Sequence, residues 1–484
     1  FLNRFPISVP SLLDAVICSG FLFRVIKMKN ILSALYKYNH LFVNGKLAQQ
    51  RVMPIKSNLK LDRVFCDPYK KRVIETLKLR NSRLDFSALC TQWNSYSRLR
   101  EQNQKFLKQK NLLKAQYKST ELEIELAKFY QEYKNFKVKF DAEEMAFIQA
   151  YLDVPNVLGQ NPSVQSVSSI FLDASSISNE PRSAFSLLMD AQLIKPSSDG
   201  RYFFLGDAAV LERTLIDNLT DFCISSGLSL HSNPDTVKTV VLECVGKTIE
   251  DPEVIKLRCG PQENSDGHAR TNDNPMNQLS IVGSSSIYAF CGYLANMLVT
   301  SDRYLPLKLF NIGRCYAVTN VNQVSHPLCC DVVVISLDSE TSIDMIERLM
   351  ITIFENLKLG LRVTRKSVAE LEQWESVKNS YEVYNYISQQ YDELGFIVDT
   401  GDYITSRMNT QYCETQGKLK NFHNPNLVYA RLMDVEQLLM KLIERQYAVD
   451  GFLDLKSIIK GLNSSFKHKL HENSHEVIKK EFFR

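Results

Sequence analysis

Several features are absent from this 484-residue sequence, and each absence excludes a class of protein. No uninterrupted apolar run approaches the ~20 residues that a membrane-spanning helix needs, so we predict no membrane insertion. The eleven cysteines form no Cys-x-x-Cys pair, and no histidines cluster with them at metal-binding spacing. We therefore predict buried, reduced thiols, no metal site and no cofactor.

Acidic residues are missing between Ala15 and Leu61, where eight lysines and arginines lie. A basic, acid-free and partly amphipathic segment is typical of a mitochondrial transit peptide. The alternative is a disordered basic leader. We predict a leader over residues 1–61, with Met28 as the expected initiator, and we expect the protein in the mitochondrial matrix.

Glycine and proline are both missing between Asp85 and Val154, which favours long helices. Apolar residues recur there at heptad spacing, and a break near Lys118 to Thr120 is indicated, with Thr120 and Glu123 as a capping box. We therefore predict an N-terminal antiparallel coiled-coil arm over residues 62–155.

The first helix of the arm is strongly basic and contains a single acidic residue, Glu101. A one-sided basic helix suits phosphate binding, because each neutralised phosphate releases counterions. The alternative is a solvated helix face. The predicted RNA-binding residues are Arg98, Arg100, Lys105, Lys108, Lys110, Lys114 and Lys118.

The remainder of the chain alternates short β-branched runs, such as TVKTVVLEC and CDVVVISL, with helical stretches, such as AAVLERTLIDNLTDF. This alternation predicts an α+β core, which we place at residues 156–462, with an antiparallel sheet flanked by helices. A basic polar tail, residues 463–484, follows.

Two stretches, GRYFFLGDAAVLERTLIDNLTDF from Gly200 and GLSLHSNPDTV from Gly227, resemble the first signature of the class II seryl-tRNA synthetases. The resemblance extends in order from about Lys70 and makes the arm the counterpart of that family's tRNA-binding arm. It implies a dimer surface that includes Leu211, Leu215 and Pro234. It also matches DYITSRMN, from Asp402 to Asn409, to a family strand, with Arg407 as a matching basic residue.

The family's catalytic charges are missing from the matching positions. Its second signature strand has an arginine that binds the α-phosphate and a glutamate two residues later; here these are Ala317 and Thr319. Arg314 is three residues from Ala317, which places its side chain on the opposite face of a strand. The cation that would stabilise adenylate formation is therefore lost.

The amino-acid pocket implied by the resemblance is altered as well. No acidic residue lies from Gln278 to Thr300, where the family has a glutamate. The family's His-Gln-Phe-x-Lys-Val-Glu begins here with His326 and lacks its lysine and glutamate, and Phe396 replaces a small hydroxyl residue. In the third signature, the arginine falls at Asp434 or Gln437 depending on register, and Arg431 is the nearest arginine.

The resemblance thus implies a degenerate, non-enzymatic paralogue of the kind found in insect mitochondria. Such a protein would pair with the catalytic mitochondrial seryl-tRNA synthetase as a structural or regulatory subunit, and its arm would bind RNA, with tRNA as the expected species. One alternative is a freestanding RNA-binding homodimer in mitochondria.

The other alternative is an active synthetase with a rearranged site. It would need surrogate charges, which the sequence offers at five positions: Arg314, Arg407 or Arg431 for phosphate, and Glu393 or Asp399 for a metal ion or an ammonium group.

Overall fold

The computed structural model describes most of the chain from residue 39 to residue 467. The described residues are 39–43, 55, 57–116, 120–160, 167–171, 179–197, 201–252, 254–257, 262–263, 269–270, 278–320, 323–416 and 419–467. The helices and strands are numbered in chain order within these ranges.

Helices form the arm and one layer of the core. They are α1 Leu61–Phe65, α2 Tyr69–Leu79, α3 Phe86–Gln116, α4 Thr120–Leu152, α5 Ala184–Asp190, α6 Gly206–Ser225, α7 Thr239–Cys244, α8 Ile287–Leu294, α9 Ser339–Asn356, α10 Tyr403–Arg407, α11 Val435–Asp450 and α12 Leu455–Lys467.

Twenty strands are described, most of them in the core. They are β1 Val167–Phe171, β2 Ile194–Pro196, β3 Tyr202–Phe204, β4 Ser229–Leu230, β5 Thr236–Lys238, β6 Ile255–Leu257, β7 Gln262–Glu263, β8 Ala269–Arg270, β9 Leu279–Ile281, β10 Leu298–Val299, β11 Leu307–Arg314, β12 Ala317–Asn320, β13 Gln323–Ser325, β14 Leu328–Ser336, β15 Leu361–Arg365, β16 Val377–Asn385, β17 Gln390–Asp399, β18 Gln411–Gln416, β19 Leu419–His423 and β20 Asn426–Asp434.

The predicted arm is confirmed as two long helices, α3 and α4, which pack along an aromatic seam. Tyr96 stacks on Phe147 with ring centroids 5.0 Å apart, and Phe106 meets Phe136 at 4.8 Å. Burial of one such ring stabilises the folded arm by roughly 1.5–3 kcal/mol. The helix α4 begins at Thr120, but the side chains of the proposed capping box lie outside the described residues.

The core is built on one eight-stranded sheet, in the order β1-β15-β16-β17-β20-β14-β11-β4. Every neighbouring pair in this sheet is antiparallel except β11 with β4. This architecture confirms the predicted α+β class.

Different helices pack on the two faces of this sheet. Val332 and Val334 on β14 point into a core that α5, α6, α9, α11 and α12 complete, which we call the helical face. Val333 and Ile335 alternate with them and point to the opposite side, where α7, α8, α10 and the base of the arm pack. We call this the second face.

Three local predictions are wrong. DYITSRMN forms the short helix α10 rather than a strand, and the second half of TVKTVVLEC forms α7. The second signature is not one strand, since β11 ends at Arg314 and Ala317 begins the separate β12–β13 hairpin. In the second of these segments, packing of α7 in the core overrides the β propensity of Val240 and Val241.

Two predicted domain boundaries also need correction. Leu41 and Ile55 are each 1% exposed in the cluster that forms the base of the arm, so the folded body includes residues that we assigned to the leader over 1–61. At the other end, α12 continues to Lys467, past the predicted start of the tail at 463. Residues 1–38, with Met28, and 468–484 lie outside the described residues.

The described residues contain neither a helix suited to cross a membrane nor a cluster of metal ligands. No helix in this part of the chain combines the length and apolar character needed to cross a membrane. Nor do three or more histidine, cysteine or acidic side chains in the same residues come together as ligands for a metal ion.

Candidate functional site

A cavity of ≈ 740 Å³ lies at the end of the sheet where β11, β14 and β20 meet the first turns of α6 and α11. Its lining is mixed aromatic and charged. The lining residues are Arg201, Tyr202, Phe203, Phe204, Ala209, Glu212, Arg314, Val324, Ser325, His326, Pro327, Asp392, Arg431, Asp434, Glu436, Gln437, Met440 and Lys441.

Cations of this cavity are paired with carboxylates of the same chain. Arg314 forms an ion pair with Glu436 and donates a second hydrogen bond to the His326 carbonyl at 2.9 Å. Lys441 Nζ lies 2.7 Å from Asp392 Oδ2. An anionic ligand that binds Arg314 or Lys441 would therefore have to displace an existing carboxylate partner, which costs desolvation as well as the lost pair.

The alternative positions for the third-signature arginine are adjacent in the structure. Asp434 is the N-cap of α11 and accepts from the Gln437 backbone N–H at 3.0 Å, while the Gln437 side chain donates to the same carboxyl group. Burial raises the pKa of Asp434 above its ordinary value. The side chains of Asp434 and Gln437 therefore both take part in capping the N-terminus of α11.

Arg431 lies on the second face and is paired with Asp331, a carboxylate that is 0% exposed. Its Nε is 3.0 Å from Asp331 Oδ1, and its Nη2 is 3.0 Å from Cys315 Sγ. Tyr429 donates a hydrogen bond to the other carboxylate oxygen. Burial raises the pKa of Asp331, although Arg431 opposes the shift.

Phe396 fills the second face beside this ion pair. Its ring contacts Tyr429 edge-on at 5.6 Å, and Tyr429 in turn contacts Trp374 at 6.2 Å. Two cations flank the Phe396 ring, Lys378 at 4.5 Å and Arg431 at 5.5 Å. An aromatic cluster therefore occupies the surface where the resemblance places the amino-acid pocket.

The serine run that replaces the family's acidic pocket segment is satisfied internally. Ser285 donates to the Asn311 carbonyl at 3.1 Å, and Ser286 donates to the Gly283 carbonyl at 2.8 Å. Gly283 has a φ of +86°, and an added Cβ would lie 2.0 Å from the Arg314 carbonyl oxygen. The segment is thus built for close backbone packing.

The remaining surrogate charges are also engaged. Arg407 is 4% exposed and donates to the carbonyls of Leu152 and Val154, both at 3.4 Å, which ties the arm to the core. Glu393 accepts from Ser380 at 2.5 Å and lies near two lysines. Asp399 accepts from the Gly401 backbone and from a serine, and burial raises its pKa.

The predicted RNA-binding residues do not share one environment. Arg98, Lys105 and Lys108 are exposed on α3. Arg100 pairs with Asp62 at 3.1 Å, and Lys110 lies over two tyrosine rings of α4. The side chains of Lys114 and Lys118 lie outside the described residues.

The predicted dimer residues require a correction. Leu211 is 0% exposed and Leu215 1%, because both point from α6 onto the helical face of the sheet. They cannot contact a partner without unfolding this layer. Pro234 is exposed. The exposed apolar side chains on and around α6 include Phe185, Met189, Phe203, Leu205, Val210, Ile224 and Leu230.

Sequence reasoning missed Asp331 and Glu436, the two carboxylates that neutralise the arginines. Asp331 does carry a signal, because it is the one charged residue in the apolar run CCDVVVIS. A charge in such a run requires a buried partner. Glu436 has no comparable signal, since an acidic residue in the first turn of a helix is ordinary.

A mostly antiparallel sheet between helical layers, joined to a long helical hairpin, has the fold of the class II seryl-tRNA synthetases. The cytoplasmic serine–tRNA ligase of Naegleria fowleri, solved with AMP, superimposes with a TM-score of 0.67 at 13% identity, over 83% of this chain and 96% of that one. Seryl-tRNA synthetase from Pyrococcus horikoshii, solved with ATP, gives a TM-score of 0.59 at 15% identity, over 87% and 98%.

Sequence similarity to a curated relative points to the same family as the fold. The serine–tRNA synthetase-like protein Slimp of Drosophila melanogaster is 22% identical over 278 residues, which are 54% of this chain and 56% of that protein. The match thus spans little more than half of the relative's length. No family model matches the chain. On this basis the chain is seryl-tRNA synthetase-like.

Proposed function

We propose that this chain is a non-catalytic paralogue of seryl-tRNA synthetase that acts in mitochondria as a structural or regulatory subunit. It would pair with the catalytic mitochondrial seryl-tRNA synthetase and bind RNA, with tRNA as the expected species, in support of tRNA-Ser charging. The observation that carries the non-catalytic part is the second face, where Phe396 fills the surface and Arg431 is held by the buried Asp331.

The charges near the site also support a non-catalytic role. Adenylate formation needs a cation that is available to a phosphate, and losing one such group costs ~2.7–4 kcal/mol, or a factor of ~100–1000 in rate. Arg314, Arg431 and Arg407 are bound instead to Glu436, Asp331 and backbone carbonyls. Binding ATP would require breaking these contacts.

Serine-dependent exchange of pyrophosphate into ATP tests this part. We expect no exchange above the background of a protein-free control, with the catalytic mitochondrial enzyme of the same organism as the positive control. Exchange that Arg431→Met abolishes would instead favour the alternative of an active synthetase with a rearranged site.

RNA binding is proposed for the exposed cations of α3. The variant R98E/K105E/K108E should bind tRNA more weakly, and the slope of log affinity against log salt should fall by about two to three, since each lost phosphate contact contributes ~0.7–0.9. The matched control reverses three exposed lysines of the core, Lys195, Lys358 and Lys456. Equal loss in both variants would remove the assignment to the arm.

The mitochondrial location is proposed from the basic, acid-free composition between Ala15 and Leu61. A fluorescent fusion of the full chain should enter mitochondria, and replacing Arg24, Lys27 and Lys29 with glutamate should prevent it. Import of the charge-reversed fusion would contradict a transit signal in this segment.

Pairing is tested by native mass measurement after co-expression with the catalytic mitochondrial enzyme. A one-to-one heterodimer is the expected result. Separate homodimers would favour the other candidate, a freestanding RNA-binding homodimer. The exposed apolar side chains around α6, such as Phe203 and Val210, support association with some partner, since a surface patch of this kind marks an interaction site.

A further inference from the structure

A small cavity of ≈ 50 Å³ lies at the base of the arm, lined by residues of α1, α2, the end of α4 and α10. One water molecule needs about 10–15 Å³ of such space, so the volume admits a small ion or a few waters. The charged residues in its lining are Lys60, Arg63, Asp402 and Arg407. It shares no lining residue with the larger cavity at the end of the sheet.

The lining of this small cavity carries more positive than negative charge. Lys60 Nζ and Arg63 Nη1 both bind Oδ2 of Asp402, at 2.8 and 3.0 Å. Within the described ranges no other carboxylate lines the cavity, so three cations against one carboxylate leave a net charge of +2. An excess of positive charge around a partly desolvated space favours an anion.

Arg407 is the cation that Asp402 does not neutralise. It is 4% exposed, and its side chain donates to the carbonyls of Tyr403, Leu152 and Val154, each at 3.4 Å. The last two carbonyls lie at the end of α4 and just after it, where the helix dipole offsets part of the charge. A guanidinium has five N–H donors, and no described residue accepts from the remaining two, one on Nη1 and one on Nε.

The Tyr403 hydroxyl is a further donor without a partner. Tyr403 also lines the cavity and is 6% exposed, and its hydroxyl forms no hydrogen bond within the part of the chain that the structure describes. Burial raises the pKa of Tyr403, so the hydroxyl stays protonated. Buried polar groups are normally paired, and unpaired donors need an acceptor, which an anion supplies.

We propose that this cavity is a binding site for a small inorganic anion, with chloride as its ligand. The ion would accept from the free N–H groups of Arg407, and a charge-assisted contact of this kind is stronger than a neutral one. The side chains of Lys60 and Arg63 are 37% and 46% exposed, which places them at the solvent end of the site, where they attract an entering anion.

Bound chloride would strengthen the junction between the arm and the core. Arg407 already reaches the end of α4 from α10, and the segment before α1 is held to the same helix. Ser57 donates to the Arg407 carbonyl at 2.8 Å, and the Asn58 N–H donates to the Ser406 carbonyl at 2.8 Å. Because the site exists only in the folded chain, chloride should stabilise the folded state by mass action.

Thermal unfolding of the full chain in chloride and in gluconate tests the proposal, since gluconate is too large for the cavity. Potassium gluconate is exchanged stepwise for potassium chloride at a constant ionic strength of ~0.15 M. We expect Tm to rise with the chloride concentration and to level off as the site fills. The same Tm in both salts, or a rise without saturation, would overturn the proposal.

Crystals of the full chain grown in sodium bromide locate the ion, because bromide substitutes for chloride and scatters X-rays anomalously. We expect an anomalous peak beside the Arg407 guanidinium. Density in the cavity without an anomalous signal would mean that water fills it, which contradicts the proposal.

Three variants connect the stabilisation to the site. Arg407→Met removes the free donors, so the chloride-dependent rise in Tm should disappear. It should persist in the matched control Arg83→Met, at an exposed arginine between α2 and α3, and an equal loss in both variants would count against the site. Tyr403→Phe removes one hydroxyl and should need more chloride for the same rise. This variant and the bromide crystals decide the question even where Arg407→Met does not fold.

Discussion

The buried ion pair between Arg431 and Asp331 gives the sharpest stability prediction. Replacing Arg431 with Met removes the guanidinium and leaves a carboxylate that is 0% exposed without its counter-charge. Breaking a buried pair from one side costs about 3–5 kcal/mol. The Arg431 side chain is 21% exposed, and Tyr429 still donates to Asp331, so we expect the lower end, about 3 kcal/mol.

The cost should depend on pH. Burial raises the pKa of Asp331 in the folded protein, while Arg431 lowers it. Losing Arg431 therefore raises this pKa further. When the pKa of a carboxyl group is higher in the folded state than in the unfolded state, protonation of that group stabilises the folded state. This stabilisation is complete below the unfolded-state pKa and is lost as the pH rises through the folded-state pKa. The cost of Arg431→Met should thus be small in acid and grow toward neutral pH.

Urea unfolding of both proteins at about pH 5 and about pH 8 measures this difference. The control is the double variant D331N/R431M, which removes both charges and should cost less at neutral pH than Arg431→Met alone. A cost below about 1 kcal/mol for Arg431→Met at neutral pH, with no pH dependence, would refute the claim that this pair is buried and mutually dependent.

Three further predictions concern other parts of the molecule. Leu211→Ala should destabilise the fold by about 2–5 kcal/mol in urea unfolding, because Leu211 is fully buried. Val210→Asp, on the exposed side of α6, should leave stability nearly unchanged but shift any dimer toward the monomer in native mass measurement. The reverse pattern would contradict the orientation of this helix. His40→Ala should lower the free energy of unfolding by about 1–3 kcal/mol, because Glu243, which is 4% exposed, loses its 2.6 Å contact with His40. Burial raises the pKa of Glu243, so this loss should shrink in acid, where the carboxyl group is protonated. An unchanged unfolding midpoint would place residue 40 outside the folded body. Phe396→Ala should open the second face without producing pyrophosphate exchange, because the two cations beside the ring, Lys378 and Arg431, stay paired with Glu393 and Asp331. Exchange above background would show that Phe396 alone blocks the chemistry.

Secondary structure was predicted best from the sequence where a long segment had one clear hydrophobic periodicity. The arm follows from a long stretch without glycine or proline and with heptad spacing, and its buried seam contains Tyr96, Phe129 and Phe147 as expected. It was predicted worst where a short segment depends on distant partners. Tyr403 to Arg407 reads as a strand by resemblance, but the core folds it as a helix that holds the base of the arm.

The same division applies to the site. The sequence shows that Ala317 and Thr319 carry no charge, and the resemblance implies that Phe396 stands where the family has a small hydroxyl residue. The sequence could not tell whether Arg314 and Arg431 were available, because their partners Glu436 and Asp331 are about a hundred residues away in each case. Pairing across such separations is decided by strand order and register, which no local pattern encodes.

The amino-acid sequence by itself therefore determined the helical arm, the α+β class and the uncharged character of Ala317 and Thr319. Only the tertiary structure decided that Leu211 and Leu215 face the sheet, that Leu41 and Ile55 pack into the body, and that Arg314 and Arg431 pair with carboxylates. The physical reason is that propensity and periodicity act between near neighbours. Burial and ion pairing act between residues that only the folded chain brings together.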